Sequence, residues 1–202
     1  MPDADVVVLL CVAALIAGWV DAVVGGGGLV QIPALLVFVP GATPAQVLAT
    51  NKLSSVFGTA MAAWVYVRRV KPDMATALPM AGVAVLGSAA GAACASLLPE
   101  SVFRPLVLVL LVAVGAYTLR RPALGEVQAL RFSGQRHLAA AIGAALGIGF
   151  YDGIFGPGTG SFLVFALVAL MGYSFVQASA KARIVNLATN LGALAVFIPQ
   201  GA

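Results

Sequence analysis

The stretch DAVVGGGGLVQIP, Asp21 to Pro33, puts a carboxylate, four consecutive glycines and a proline where an apolar helix would otherwise continue. Glycine leaves the backbone unrestricted and proline lacks an amide hydrogen, so both end or kink helices. Lipid has no water to satisfy the backbone groups that such a break releases. A break here must be answered by protein groups or by a ligand.

The 202 residues are 61% hydrophobic and 9% charged, with a mean hydropathy of +1.05. A soluble domain covers its surface with roughly one charged residue in four. This composition is that of an integral membrane protein, all-α because a helix satisfies its own backbone in lipid. Cys11 and Cys94 lie in apolar runs without a partner at metal-ligand or redox spacing, and read as small buried hydrophobes. Asp3 and Asp5, with no basic residue near them, argue against a cleaved signal peptide. The net charge of +4 is read loop by loop, as a topology signal and not as a nucleic-acid surface.

A helix needs about 20 mostly apolar residues to cross the hydrocarbon core. Val6–Val24, Ala75–Leu98, Val102–Leu119 and Leu138–Phe155 qualify, as do the helices expected over Pro44–Val67 and Phe175–Phe197. Two apolar pieces, Leu29–Val39 and Ser161–Met171, are too short and read as re-entrant segments or halves of broken helices. The expectation is a polytopic membrane protein with about six crossings plus two short intramembrane pieces. A first repeat over 1–120 and a second, incomplete one over 138–202 flank a basic loop at 121–137.

Seven of the eleven Lys and Arg residues fall in two loops, Arg68, Arg69 and Lys71 in one and Arg120, Arg121, Arg131 and Arg136 in the other. The positive-inside rule makes both cytoplasmic. On a count of one crossing before the first glycine-rich break and five before the second, the N-terminus is cytoplasmic too and both breaks approach from the opposite side.

The repeat carries the functional reading. Gly18-Trp-Val-Asp21-Ala-Val-Val-Gly25 matches Gly149-Phe-Tyr-Asp152-Gly-Ile-Phe-Gly156, 131 positions on. Ala49-Thr50-Asn51-Lys52 parallels Ala178-Ser179-Ala180-Lys181 at an offset of 129, which implies a shorter second connection. Duplicated units with interrupted helices at corresponding places point to a transporter whose site lies between the halves. Asp21, Asp152, Lys52, Lys181 and Arg183 lie in or beside apolar stretches, two negative charges against three positive. If the aspartates pair, one cation remains for an anionic substrate. The glycines add backbone amides and half-helix N-termini of the same preference. The candidate substrate-binding residues are Lys52, Lys181, Asn51, Thr50, Ser179, Gly25, Gly26, Gly27, Gly28, Gly156, Gly158 and Gly160. Asp21, Asp152 and Arg183 are candidates for proton coupling or ion pairing. Asn186 and Asn190 can bond an anion or glue helices together. His137, beside the basic loop, is expected in solvent.

The pattern Asp-x-x-x-Gly-Gly-Gly-Gly-x-x-x-x-Pro, followed by Ala-Thr-Asn-Lys-Leu and then by Asp152-Gly-Ile-Phe-Gly-Pro-Gly-Thr-Gly-Ser with a second lysine, resembles the sulfite exporter TauE/SafE family of membrane permeases. The resemblance implies a secondary transporter that moves sulfite, sulfoacetate or another organosulfonate across the inner membrane, coupled to protons. It also implies about eight spans, of which this chain lacks the last pair, and a partner in a second copy or a cytoplasmic sulfur-carrier protein. No cofactor is expected. The glycines are not followed by Gly-Lys-Ser/Thr and open no βαβ unit, and a single His supports no catalytic triad or metal cluster. An anion channel and a non-transporting membrane partner subunit in sulfur metabolism are the competing readings.

Overall fold

A computed structural model describes residues 4–24, 26–97, 99–119 and 129–201. Among them the chain forms α1 (Ala4–Val24), α2 (Gly28–Phe38), α3 (Pro44–Val70), α4 (Met74–Ala95), α5 (Glu100–Leu119), α6 (Gly134–Ile154), α7 (Thr159–Ala169) and α8 (Phe175–Phe197), closed by a 3-10 turn at Ile198–Gln200. Gly25 and positions 120–128, with Arg120 and Arg121, lie outside the described residues. No strand occurs among the described ones, in keeping with the all-α expectation. Among the described residues four helices, α1, α4, α6 and α8, are long and apolar enough to cross a membrane. With 11 residues each, α2 and α7 reach only about 16 Å.

Local chemistry sets the helix boundaries. Thr43 and Gln46 exchange bonds at the start of α3, Gln46 N donating to Thr43 Oγ1 at 3.3 Å and Thr43 N to Gln46 Oε1 at 3.0 Å. Ser174 caps α8 through Gln177 N at 3.4 Å. Asp73 caps α4 by accepting from Ala75 N at 2.9 Å and Thr76 Oγ1 at 2.6 Å.

Two hairpins of unequal helices shape the fold. Leu10 of α1 shares a cavity wall with Leu35 and Val39 at the end of α2 and with Gln46 and Val47 at the start of α3. The first hairpin therefore opens beside the start of α3, and α3 carries the chain to the far end. There Gln177 Nε2 of α8 donates to Val70 O at 3.4 Å, so α8 runs antiparallel to α3. Ser88 of α4 donates to Thr189 O of α8 at 2.6 Å, and Ser96 to Gln200 Oε1 at 2.5 Å, which makes α4 parallel to α8. The α6–α7 hairpin opens at the end where Lys71, Arg131, His137 and Lys181 surround one cavity.

These directions correct two expectations. The glycine-rich breaks enter from opposite ends of the bundle and not from one. The start of α1 lies at the end away from Lys71 and Arg131, because α2 returns the chain to its starting end before α3 crosses. Lys71 and Arg131, the described members of the two basic loops that border one cavity, do share an end. The offset is corrected as well. α2 and α7 begin at 28 and 159, α3 and α8 at 44 and 175, both 131 apart, and the connections 39–43 and 170–174 are equal in length. At that spacing Thr43 and Gln46 correspond to Ser174 and Gln177, and Lys52 corresponds to Arg183 rather than to Lys181.

Small residues allow the closest helix contacts. A Cβ on Gly149 would lie 2.8 Å from Ala84 O and one on Gly87 2.7 Å from Leu146 O, while on Gly91 and Gly153 it would overlap the carbonyls of Phe150 and Ser88. Close backbone approach of this kind holds helices together where lipid offers no hydrophobic drive. One core joins Met80 and Ala84 of α4 to Ala141, Ala145, Leu163, Leu167 and Val185 across the sequence halves. Large apolar side chains such as Leu15, Trp19, Phe57, Leu86 and Val112 face outward, as a lipid-facing surface requires. Cys11 and Cys94 lie on that outer surface and not in the core. Each occupies a helix face that contacts no neighbour, which a linear apolar run does not reveal.

Replacing Gly153 with Val is expected to lower the thermal midpoint of the detergent-purified protein markedly, by the ~1–3 kcal/mol typical of overpacking or more. Gly147→Ala, where a Cβ meets nothing within 4 Å, serves as the near-neutral control in the same melting experiment.

Candidate functional site

The tips of the two hairpins meet inside the bundle. A Cβ on Gly28, the first residue of α2, would lie 3.5 Å from Pro157 Cα in the second tip and 3.5 Å from Asn51 Nδ2 on α3. In the second tip Gly156 has φ 86° and Gly158 φ 76°, left-handed values that favour glycine. Space adds to the requirement at Gly156, where a Cβ would sit 3.0 Å from Lys52 Nζ. Tyr151 Oη donates to Pro157 O at 2.7 Å, and Thr159 Oγ1 to Gly156 O at 2.9 Å, which hold the turn in shape.

Each break is closed by a cation from the other half of the chain. Lys52 Nζ on α3 lies 2.5 Å from Asp152 Oδ2 on α6, both side chains 1% exposed. Arg183 Nη1 on α8 lies 3.0 Å from Asp21 Oδ2 on α1. The same guanidinium donates to the main-chain carbonyls of Asp21 and, at 3.2 Å, Ala22. Those carbonyls belong to the last turn of α1, whose acceptors have no partner within the helix. A guanidinium suits them because it offers several donors in one plane and complements the negative helix end. Asp21 Oδ1 accepts from Gly27 N at 3.3 Å, which ties the carboxylate to the glycine run.

Between the tips lies a cavity of about 10 Å³, near the least room that one water needs. Asp21, Gly28, Asn51, Lys52, Asp152, Gly156, Gly158 and Gly160 line it, as do Ser55, Thr159, Asn186 and Asn190. Asn51 Oδ1 and Asn190 Nδ2 are buried without a hydrogen-bond partner among the described residues. The N-termini of α2 and α7 reach the cavity through Gly28 and Thr159, from opposite directions. The wall thus presents two compensated ion pairs, two positive helix ends and the unpaired Nδ2 of Asn190, a lining whose donors suit a small anion although the closed tips leave room for about one water.

The structure brings together Lys52, Asn51, Asp21, Asp152, Gly28, Gly156, Gly158 and Gly160 from the sequence candidates, with Arg183 attached through Asp21. Gly26 and Gly27 are buried within the first break, Gly27 against Ala17 O and Asp21 Cβ. Others lie elsewhere. Thr50 borders an apolar recess with Leu10 and Val39, and Ser179 is buried on α8 outside the lining. Lys181 packs its ammonium over the Tyr173 ring at 4.1 Å, at the basic end of the bundle. Gly25 lies outside the described residues. The cation in excess of the two aspartates is therefore Lys181, and it does not face the cavity between the tips. His137 is half-buried and bonded to Tyr173 Oη at 2.6 Å, which corrects its expected place in solvent. Ser55 and Thr159 were not candidates. A helical-spacing count, Asn51 with Ser55 and Arg183 with Asn186 and Asn190, would have drawn Ser55 in.

The sequence profile of the family described as sulfite exporter TauE/SafE matches residues 10–202. A "Probable membrane transporter protein ORF9" from a Sinorhizobium species is 39% identical over 193 residues, covering 96% of this chain and 72% of the relative. "Probable membrane transporter protein YfcA" of Escherichia coli K12 is 36% identical, covering 96% and 70%. A "Probable membrane transporter protein" of Haemophilus influenzae is 34% identical over 197 residues, covering 98% and 76%. No solved structure matches the chain. The class defined by the fold and these relatives is that of membrane transporters. Within it, the chain belongs to the sulfite exporter TauE/SafE family.

Removing one partner of a buried ion pair leaves the other charge uncompensated, at a cost of roughly 3–5 kcal/mol. Lys52→Ala is therefore expected to lower the melting temperature sharply, and Asp152→Ala in the same chain to restore much of the loss. A double-mutant cycle by thermal denaturation checks this, and purely additive losses would show that the two side chains are not coupled.

Proposed function

We propose that the protein is a secondary transporter that moves a small sulfur-containing anion, sulfite, sulfoacetate or another organosulfonate, and couples that movement to protons. The observation that carries the reading is the meeting of two oppositely directed hairpin tips over the buried Lys52–Asp152 pair. We read α1–α3 and α6–α8 as inverted repeats, on the strength of their common spacing and antiparallel α3 and α8. In such folds the site lies at the repeat interface near the midplane and the halves rock about it.

The ion pair supplies the coupling. While Asp152 is ionised it neutralises Lys52, and an anion gains little by entering. A proton taken up by Asp152 leaves the ammonium to an incoming oxyanion, so anion and proton enter the cavity together. The helix ends at Gly28 and Thr159 and the unpaired Nδ2 of Asn190 complete its coordination. Arg183 stays on Asp21 and the α1 carbonyls, where it keeps the first tip in place. The tips meet with room for about one water, which favours a carrier whose site opens as its halves rock apart over an open channel. The cell inner membrane is the proposed location, with the end that holds Lys71 and Arg131 in the cytoplasm.

Proteoliposomes offered sulfite, sulfate, thiosulfate and a sulfonate in competition, with and without an imposed pH gradient, test this. Saturable uptake that accumulates anion against its gradient when protons flow inward is expected. Flux that only dissipates the anion gradient would indicate a channel, and no flux a non-transporting subunit. Asp152→Asn is expected to abolish gradient-driven uptake while retaining some counterflow exchange. Asp21→Asn, whose carboxylate is tied to Arg183 and Gly27, is expected to reduce both to a similar degree.

A further inference from the structure

The cavity at the basic end of the bundle is separate from the one between the hairpin tips and shares no lining residue with it. It measures about 700 Å³ and is bordered by Lys71, Asp73, Arg131, His137, Tyr173 and Lys181, among others. Lys181 is the decisive member. Its side chain is 1% exposed, yet no carboxylate lies within ion-pair distance among the described residues, and the face of Tyr173 receives the ammonium instead. The nearby acid is Asp73, which accepts from Ala75 N and Thr76 Oγ1 at the start of α4; the bond from Thr76 holds its carboxyl below the usual carboxylate range, and its charge acts on Lys181 from beyond ion-pair distance. A buried ammonium answered only from that distance favours a closer anion.

The surroundings are built to add positive charge there. The backbone of 129–131 is strapped onto the α7–α8 turn, Ala129 N donating to Gly172 O at 2.8 Å and Arg131 N to Met171 O at 3.0 Å. That strap sets Arg131 at the cavity that Lys181 lines. Lys71, which ends α3, has φ 48°, the one left-handed non-glycine residue among those described. Such a conformation is disfavoured for a side chain-bearing residue and persists where its surroundings hold it. Among the described lining residues three cations stand against one carboxylate, a surplus of two. The Nδ1 of His137 is buried without a partner among the described residues and adds a further polar group to the wall.

We propose that this cavity is a second anion-binding site, for a doubly charged oxyanion of the sulfate or phosphate class taken from the aqueous phase, with Lys181, Arg131 and Lys71 as its cationic contacts. It is distinct from the transport site between the tips.

Isothermal titration of the purified protein in nanodiscs of zwitterionic lipid, with sodium sulfate and then inorganic phosphate as the probes, tests the site without any measurement of flux. Saturable sulfate binding is expected to persist in the charge-balanced Lys52→Gln/Asp152→Asn variant, and to weaken at least roughly ten-fold in Lys181→Gln and in Arg131→Gln, since each removes a charge-assisted contact. Arg131 is exposed, so its variant keeps the test sound if the buried lysine proves necessary for folding. Binding lost in Lys52→Gln/Asp152→Asn and retained in Arg131→Gln would place the anion between the tips and overturn the proposal. Absence of saturable binding would overturn it too. Repeating the titration in nanodiscs rich in anionic lipid separates the two sources of such a ligand. Unchanged affinity is expected, whereas displacement of sulfate would mean that a lipid headgroup fills the cavity and would overturn the assignment to a free anion.

Discussion

Two ion pairs that cross between the halves of the chain hold this structure in its present form. A helix broken inside lipid leaves carbonyls at one end and amides at the other, and only protein groups can answer them. Arg183 answers the end of α1 directly, with one side chain on the Asp21 carboxylate and the carbonyls of Asp21 and Ala22. Lys52 stands at the end of α6 against Asp152. In both cases the cation belongs to the long helix of the opposite unit. Neither hairpin tip is complete without the other half, so the breaks do not act independently.

This dependence explains the glycines. The tip of the second hairpin needs left-handed backbone at Gly156 and Gly158, and Gly156 lies close enough to Lys52 that a methyl group would crowd the ammonium. Gly28 meets the opposite tip at Pro157 with van der Waals spacing. Between α4 and α6 glycine has a different task, since there it brings two backbones together and sets how rigidly α6 is held. The hairpin tips and the frame of packed helices are thus built with the same residue type used in two ways.

The arrangement of charge also separates binding from neutrality. At the cavity between the tips every cation has a carboxylate, so the helix ends at Gly28 and Thr159 and the Nδ2 of Asn190 are the donors left unmatched. At the basic end Lys181 has an aromatic face in place of a carboxylate, and the surplus lies with it. A count of buried charges along the chain gives the correct total, two acids and three bases, but places the excess at the wrong end of the bundle.

The sequence alone determined the membrane setting, the all-helical class, the two breaks, their aspartates and Lys52, because composition and helix-breaking residues act locally and leave a linear trace. It also carried the family, through motifs that follow one another in order. What it left open was direction and partnership. Whether α2 returns to its starting end or crosses depends on packing against α3, which no run of apolar residues encodes, and the expected topology failed on that point. The pairing of Asp21 with Arg183 spans 162 positions and follows from antiparallel α3 and α8. Lys181 lies only two positions before Arg183, but the 3.6-residue turn of a helix points side chains so spaced in well-separated directions. Tertiary structure therefore decided which of the two cations seals the break and which faces the basic end.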